Sequence, residues 1–294
     1  MSFQSVKELI EITKSAGIPL YEVMIQREME HSGKGREEIL GQMASYLEVM
    51  EEAVKKGLEG KGNSRSGLSG GDAKKVQDYV EKGKTLSGDE ILEAVSKAMA
   101  TNEVNACMGI IVATPTAGSC GVIPGALFSV RERWQLSRDK MVHFLFTAGA
   151  FGQVIANRAF ISGAAGGCQA EVGSAAAMAA AALVEMAGGS PEQSAEGAAI
   201  TLKNMLGLVC DPVAGLVEVP CVKRNAMGVS LALVSADLAL AGVKSRIPCD
   251  EVIDTMYRIG RTMPSTLKET ALGGLAVTPT AKKWAEQIKG DGPG

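Results

Sequence analysis

Three cysteines share one local grammar. "GGCQ" around Cys168, "CDPVAG" from Cys210 and "VPCVKRNAM" around Cys221 each place sulfur at a Gly or Pro break, where a helix begins or ends. Helix N-termini carry free N–H groups and a partial positive charge, which lower a thiol's pKa and steady anionic sulfur or a cluster. Cys168 and Cys221 have the context of such starts. The gaps between the three are long and contain no CxxC, so spacing alone leaves metal ligation and plain thiol packing both open, packing being the commoner fate. Two histidines complete the inventory of strong bases. His143, in "MVHFLF", lies in an apolar run that suits a core histidine more than a catalytic one, and His31, in "REMEHSGKGREE", has an exposed context.

Helices must hold such residues in place. Residues 36 to 58 carry Ile39, Met43, Tyr46, Leu47, Met50, Val54 and Leu58 at steps of three and four, one apolar face on a surface helix. The segment "EGKGNSRSGLSGGDAKK" (59 to 75) switches to Gly and Ser and reads as a loop, either a solvated connector or one that wraps a ligand. Ser87 and Asp89 are N-cap candidates for the helix that follows. From residue 104 onward charges thin, and long apolar segments alternate with Gly and Pro. That pattern predicts helices, with brief extended pieces near Ile110 to Val112 and Val122 to Ile123. The expected fold class is mainly α: a single multi-helix domain over 1–294, in which 1–100 form a helical wrap and 101–290 a helical core with Gly/Pro-rich loops around a buried site.

The totals narrow the function. Hydrophobic residues at 46% and charged residues at 21% are ordinary globular values, but aromatics at 4% are few and glycines, 35 of 294 residues, are many. Such a core packs backbone closely through Ala and Gly. A net charge of −3 and a pI near 5.6, without clustered Lys and Arg, speak against nucleic acid or an anionic membrane as partner. The N-terminus "MSFQSVKELIEITKSAG" reads as an amphipathic helix without a secretory h-region. The most apolar run, residues 172 to 184, is mostly alanine and shorter than the ~20 apolar residues of a spanning helix. A cytoplasmic protein is expected. Six cysteines are too sparse for a disulfide framework and read as thiols or metal ligands.

Longer composite motifs add to this reading. "SGLSGGDAKK", "NACMGIIVATPTAGSCGVIP", "GAAGGCQAEVGSAAAMAAAAL" and "GLVCDPVAGLVEVPCVKRNAMG" resemble the iron–sulfur-dependent L-serine dehydratases, specifically the alpha chain of the two-subunit form, with the likeness densest from about residue 64 to 245. The resemblance implies that Cys168, Cys210 and Cys221 hold a 4Fe–4S cluster. Cys107, Cys120 and Cys249 match no ligand motif and read as structural thiols. Most such clusters take four cysteines, whereas three leave one iron open. That opening suits dehydration of serine, because a Lewis acid on the β-hydroxyl stabilises a poor leaving group. The reaction implied is L-serine to pyruvate and ammonia.

The resemblance also marks what this chain lacks. Relatives carry a Ser-His-Thr segment in a beta chain or beta domain, and none is present here; some single-chain relatives end in a cysteine, whereas this sequence ends "EQIKGDGPG". A heteromer with a regulatory beta chain is therefore expected. A substrate carboxylate prefers N–H nests, hydroxyls and Arg, which makes Ser66, Thr114, Thr116 and Asn225 the substrate-binding candidates, with local turn bonding as the competing role for each. Two other functions stay open. One is an iron–sulfur sensor or interaction subunit without catalysis of its own. The other is a pyridoxal-phosphate dehydratase with "SGLSGGDAKK" as phosphate cup and Lys74 or Lys75 as Schiff base, although such folds alternate strands and helices and this loop opens no βαβ unit.

Overall fold

The structure, a computed structural model, describes residues 2–290. Its N-terminal part runs α1 (Val6–Ala16), α2 (Leu20–Ser32), α3 (Arg36–Leu58), α4 (Asp72–Val80) and α5 (Asp89–Ala106). Then come α6 (Val122–Val130), α7 (Arg138–Arg158), a single turn α8 (Gly163–Gly166), α9 (Ser174–Met186) and α10 (Pro191–Lys203). The chain finishes with α11 (Cys221–Leu240), α12 (Cys249–Thr262) and α13 (Pro279–Gly290). The fold is mainly α, as the periodicity predicts. Among the described residues, strand-like pairing is confined to one bridge, between Cys210 and Lys268.

Local chemistry sets these boundaries. The Ser5 hydroxyl accepts the Glu8 N–H at 3.1 Å to cap α1, and Gly17, at φ 64°, ends it in the left-handed region. In α3 the predicted face is buried at Ile39, Leu47, Met50 and Val54, while Tyr46 lies at its exposed edge. Gly88 takes the cap position before α5, and Asp89 becomes the first helical residue, where an acid meets the positive end of the helix. The two predicted extended pieces are not strands. Ile110 to Val112 lies outside regular structure with no strand to pair with, and Val122 and Ile123 open α6. Pro124 comes third in that helix, where a missing N–H breaks no intrahelical bond.

At the centre stands α9, buried on every side from Ser174 to Val184 and packed against α6, α7, α10 and α11. A helix apolar all round must be surrounded in this way. Its alanines let neighbouring backbones approach. On α11, a Cβ added to Gly228 would stand 2.7 Å from Val172 and 3.9 Å from Ala176, so glycine is what permits that approach. The outer helices α2 and α3 pack on α7 and α5. The helix α5 is itself largely interior: every residue from Ala94 to Glu103 except Lys97 is buried, and the helix packs on α6 and α11.

Candidate functional site

The turn that carries Cys168 is fixed from three directions. Gly167, at φ 78°, closes α8 against Met263 and Leu208; a Cβ there would lie 2.7 Å from the Met263 sulfur and 2.9 Å from the Leu208 carbonyl. Beyond Cys168 the chain makes a π-helical turn, Gln169–Gly173, that runs directly into α9. Such widened turns are frequent at functional sites. The Gln169 side chain is fully buried. Its amide donates to the carbonyls of Gly166 (2.9 Å) and Met256 (3.1 Å), and its oxygen accepts the Gly207 N–H at 2.9 Å. The Gln169 N–H donates in turn to the Leu208 carbonyl at 2.9 Å, which ties this turn to the segment leading into Cys210.

Cys210 is held by its backbone on both sides. Its N–H donates to the Leu267 carbonyl at 2.9 Å, and its carbonyl accepts the Glu269 N–H at 2.7 Å. Cys221 is the first residue of α11. All three sulfurs are buried, and they influence one another electrostatically: charge on Cys168 raises the pKa of both Cys210 and Cys221, and charge on Cys221 raises that of Cys210. Two carboxylates join them. The reactive atoms of Glu171, Cys210 and Glu269 lie within 4.8 Å of one another, and Cys210 Sγ is 3.7 Å from Glu171 Oε1. The Thr116 hydroxyl hydrogen-bonds the buried Glu171 carboxylate. One guanidinium opposes this negative charge: Arg224, whose positive charge favours ionised Cys168.

The electrostatics reverse one expectation. A helix start should lower a thiol's pKa, yet burial pushes Cys168 up to about 11, against the pull of Arg224 and with help from Glu171. Burial, then the charge of Cys168, takes Cys221 to about 12, and Cys210 is raised further by burial and by four anionic neighbours. Desolvation and mutual repulsion outweigh the helix dipole. Without a cation these groups stay thiols. A buried donor set of Cys210, Glu171 and Glu269 with further thiols nearby can hold a metal, since a bound cation removes the repulsion that protonates the thiols. Cys107, Cys120 and Cys249 take no part: Cys107 ends α5, Cys120 meets Asn102 at 3.6 Å, and Cys249 opens α12 beside Asp250.

The other sequence-predicted residues fall into two groups. Thr116 reaches the thiols through Glu171, whereas the Thr114 hydroxyl turns back on the Cys120 carbonyl at 3.4 Å. Asn225 is fully buried and wholly engaged: its oxygen accepts the Gly121 N–H at 2.9 Å, and its amide donates to Gly118 (2.7 Å) and Cys221 (2.9 Å). The Ser66 hydroxyl lies 2.8 and 2.9 Å from the two Glu218 oxygens. Both residues line a cavity of about 630 Å³ that also takes in Met108, Leu216 and Trp284, a size suited to a small molecule. Lys74 and Lys75 pair with Asp78 and Asp72, and no strand precedes their loop.

His143 lies elsewhere, stacked on Tyr21 at 4.0 Å with their planes 2° apart, and burial lowers its pKa. Nearby, Glu185 accepts the Leu20 N–H at 2.6 Å and the Thr147 hydroxyl, so it caps α2, which starts at a proline with no capping side chain of its own. Burial outweighs these bonds and raises the Glu185 pKa above 4.5. The folded chain thus holds this proton more tightly than the unfolded one, so the group's stabilising contribution is complete below pH 4.5 and is lost as pH rises through the folded pKa. Glu185→Gln should therefore gain on the parent as pH rises from 4.5 to neutrality, with the two converging in acid. Urea midpoints across that range test this; parallel profiles would refute it.

Sequence reasoning missed Glu171, Asp211, Arg224 and Glu269. Glu171 had a readable signal, a lone acid between Cys168 and the alanine run. Asp211 sits directly after Cys210. Glu269 had none, because only the Cys210 bridge brings it near.

Residues 15–276 match the family model described as serine dehydratase alpha chain. The chain belongs to that family. A "Probable L-serine dehydratase, alpha chain" of Bacillus subtilis (strain 168) is 67% identical over 98% of this chain and 96% of its own length. The L-serine dehydratase alpha chain of Peptoniphilus asaccharolyticus is 45% identical over 95% of this chain and 96% of its own. A longer L-serine dehydratase of Streptomyces coelicolor is 38% identical over 94% of this chain, which covers 61% of that relative. The family's longer members thus carry a further portion beyond the part shared with this alpha-chain sequence. The thiols, Glu171 and Arg224 all fall within the matched region.

Proposed function

We propose that this chain is the catalytic alpha chain of an L-serine dehydratase, a lyase that converts L-serine to pyruvate and ammonia. The reading includes a 4Fe–4S cluster held by Cys168, Cys210 and Cys221, with residues 1–294 as one catalytic domain. The observation that carries it is the convergence of Glu171, Cys210 and Glu269 within 4.8 Å of one another, with the buried Cys168 and Cys221 near enough to act electrostatically on Cys210. Names of close relatives support the reaction.

A cluster with three thiolate ligands supplies one open iron, a Lewis acid for the β-hydroxyl of serine. The chain's own residues do the rest. Glu171 and Thr116 form a buried polar wall beside Cys210, where low dielectric strengthens each hydrogen bond to a bound alcohol. Thr114 and Asn225 shape that wall by fixing the backbone of residues 118 to 121. Ser66 gives its O–H to Glu218 and lines a cavity with it, where its oxygen serves a bound substrate as an acceptor. The two histidines stand in other surroundings, His143 against Tyr21 and His31 on the exposed end of α2. The base for the Cα proton is accordingly assigned to a beta-chain partner, in keeping with the alpha-chain names of the relatives and the extra length of the single-chain member. Six free thiols and the lack, among the described residues, of any helix long and apolar enough to cross a membrane support a cytoplasmic setting.

The test is anaerobic purification with and without the beta chain, followed by iron and sulfide analysis and assay of pyruvate from serine. Iron and sulfide near four each per chain, with pyruvate formed only in the complex, is the expected result. A cluster-bearing complex that leaves serine untouched overturns the catalytic reading in favour of a sensor or structural role.

A further inference from the structure

We infer that Arg224 is the positioning residue that ties the Cys210 segment to the helix start that carries Cys221, and so helps to assemble the thiol site. Its guanidinium lies 15% exposed. One nitrogen donates to the Val209 carbonyl at 2.7 Å and another to Asp211 Oδ1 at 2.8 Å, so it grips both neighbours of Cys210. It stands on the first turn of α11, three residues after Cys221. A single planar fork thus links two of the sulfur-bearing segments, which no lysine can do with a point charge.

The fork cannot swing away. Asp211 is buried, and its second oxygen accepts the Leu275 N–H at 2.7 Å, so the acid that holds Arg224 is itself held. For the same reason the guanidinium is not available to a substrate carboxylate. Arg158 gives the contrast: it makes a similar two-pronged pair with Asp254, at 3.1 and 2.7 Å, and contacts no thiol.

This inference rests on the thiols being a metal site, and its test separates the two ideas by using cobalt(II) on the metal-free full-length chain. Thiolate-to-cobalt absorption reports whether the sulfurs are arranged to bind, independently of any cluster or activity. Arg224→Gln is expected to weaken cobalt binding by about tenfold to a hundredfold, the usual scale for residues that orient metal ligands. Arg224→Lys should fall between it and the parent, and Asp211→Asn, which frees the fork, should weaken binding while keeping Arg224 in place. Arg158→Gln should lower the melting temperature and leave cobalt affinity unchanged. Wild-type affinity in both Arg224→Gln and Asp211→Asn would overturn the assignment, as would equal weakening in Arg158→Gln or a parent chain that shows no thiolate-to-cobalt band. If the parent binds cobalt through thiolates but never takes up iron and sulfide, the role of Arg224 stands and the cluster reading fails.

Discussion

Cys210→Ser should give a folded chain that retains neither iron nor sulfide, with pyruvate formation by the complex down by at least about a hundredfold. Cys210 is the sulfur with the most anionic neighbours: Cys168, Cys221, Glu171 and Glu269 all raise its pKa. A serine hydroxyl there is too weak an acid to ionise in such company and too hard a donor for iron–sulfur chemistry. Its backbone bonds to Leu267 and Glu269 do not involve the side chain, so the local fold survives the change. Cys249→Ser supplies the comparison. That thiol is equally buried, but it opens α12 beside Asp250, away from the other sulfurs, and its replacement should leave the iron content intact. Iron loss in both variants, or in neither, would remove Cys210 from the ligand set.

Gly163→Ala carries the second large effect. A Cβ at this position would overlap Glu171 Oε1 and stand 2.7 Å from Cys210 Sγ, two groups that are themselves buried and fixed. Overpacking of this kind costs about 1–3 kcal/mol, and here the strain falls on a sulfur and a carboxylate at the site. The expected result is a lower urea midpoint together with loss of metal binding. Gly149→Ala, inside α7 with nothing within 4 Å of the added carbon, should instead be neutral or stabilising by up to about 1 kcal/mol. Should Gly163→Ala keep both its midpoint and its metal, the packing of Gly163 against Glu171 and Cys210 described above is wrong.

Much of this fold is legible in the sequence because helices announce themselves through local periodicity. The face of α3, the glycine-rich loop before α4 and the slender α9 all follow from residues within a few turns of one another. The extended pieces failed for a related reason: Val122 and Ile123 have strand propensity, but a short β-branched pair yields to a helix whose every side is buried. The site is harder to read. Cys168, Cys210 and Cys221 stand out by their Gly and Pro contexts and by family motifs, whereas Arg224 and Glu269 matter only through partners far off in the chain. Thiol acidity was misread because a helix start is a local feature and burial is not. Sequence shows the dipole and hides the four anions around Cys210.

The Asp211 anchor has a consequence for biosynthesis. The aspartate that steadies the guanidinium is itself steadied by the amide of Leu275, 64 residues further along the chain. Ribosomes deliver chains from the N-terminus onward, so the frame around Cys210 is complete only after Leu275 has been made. A nascent polypeptide stalled ahead of Leu275 would display Cys168, Cys210 and Cys221 without that anchor.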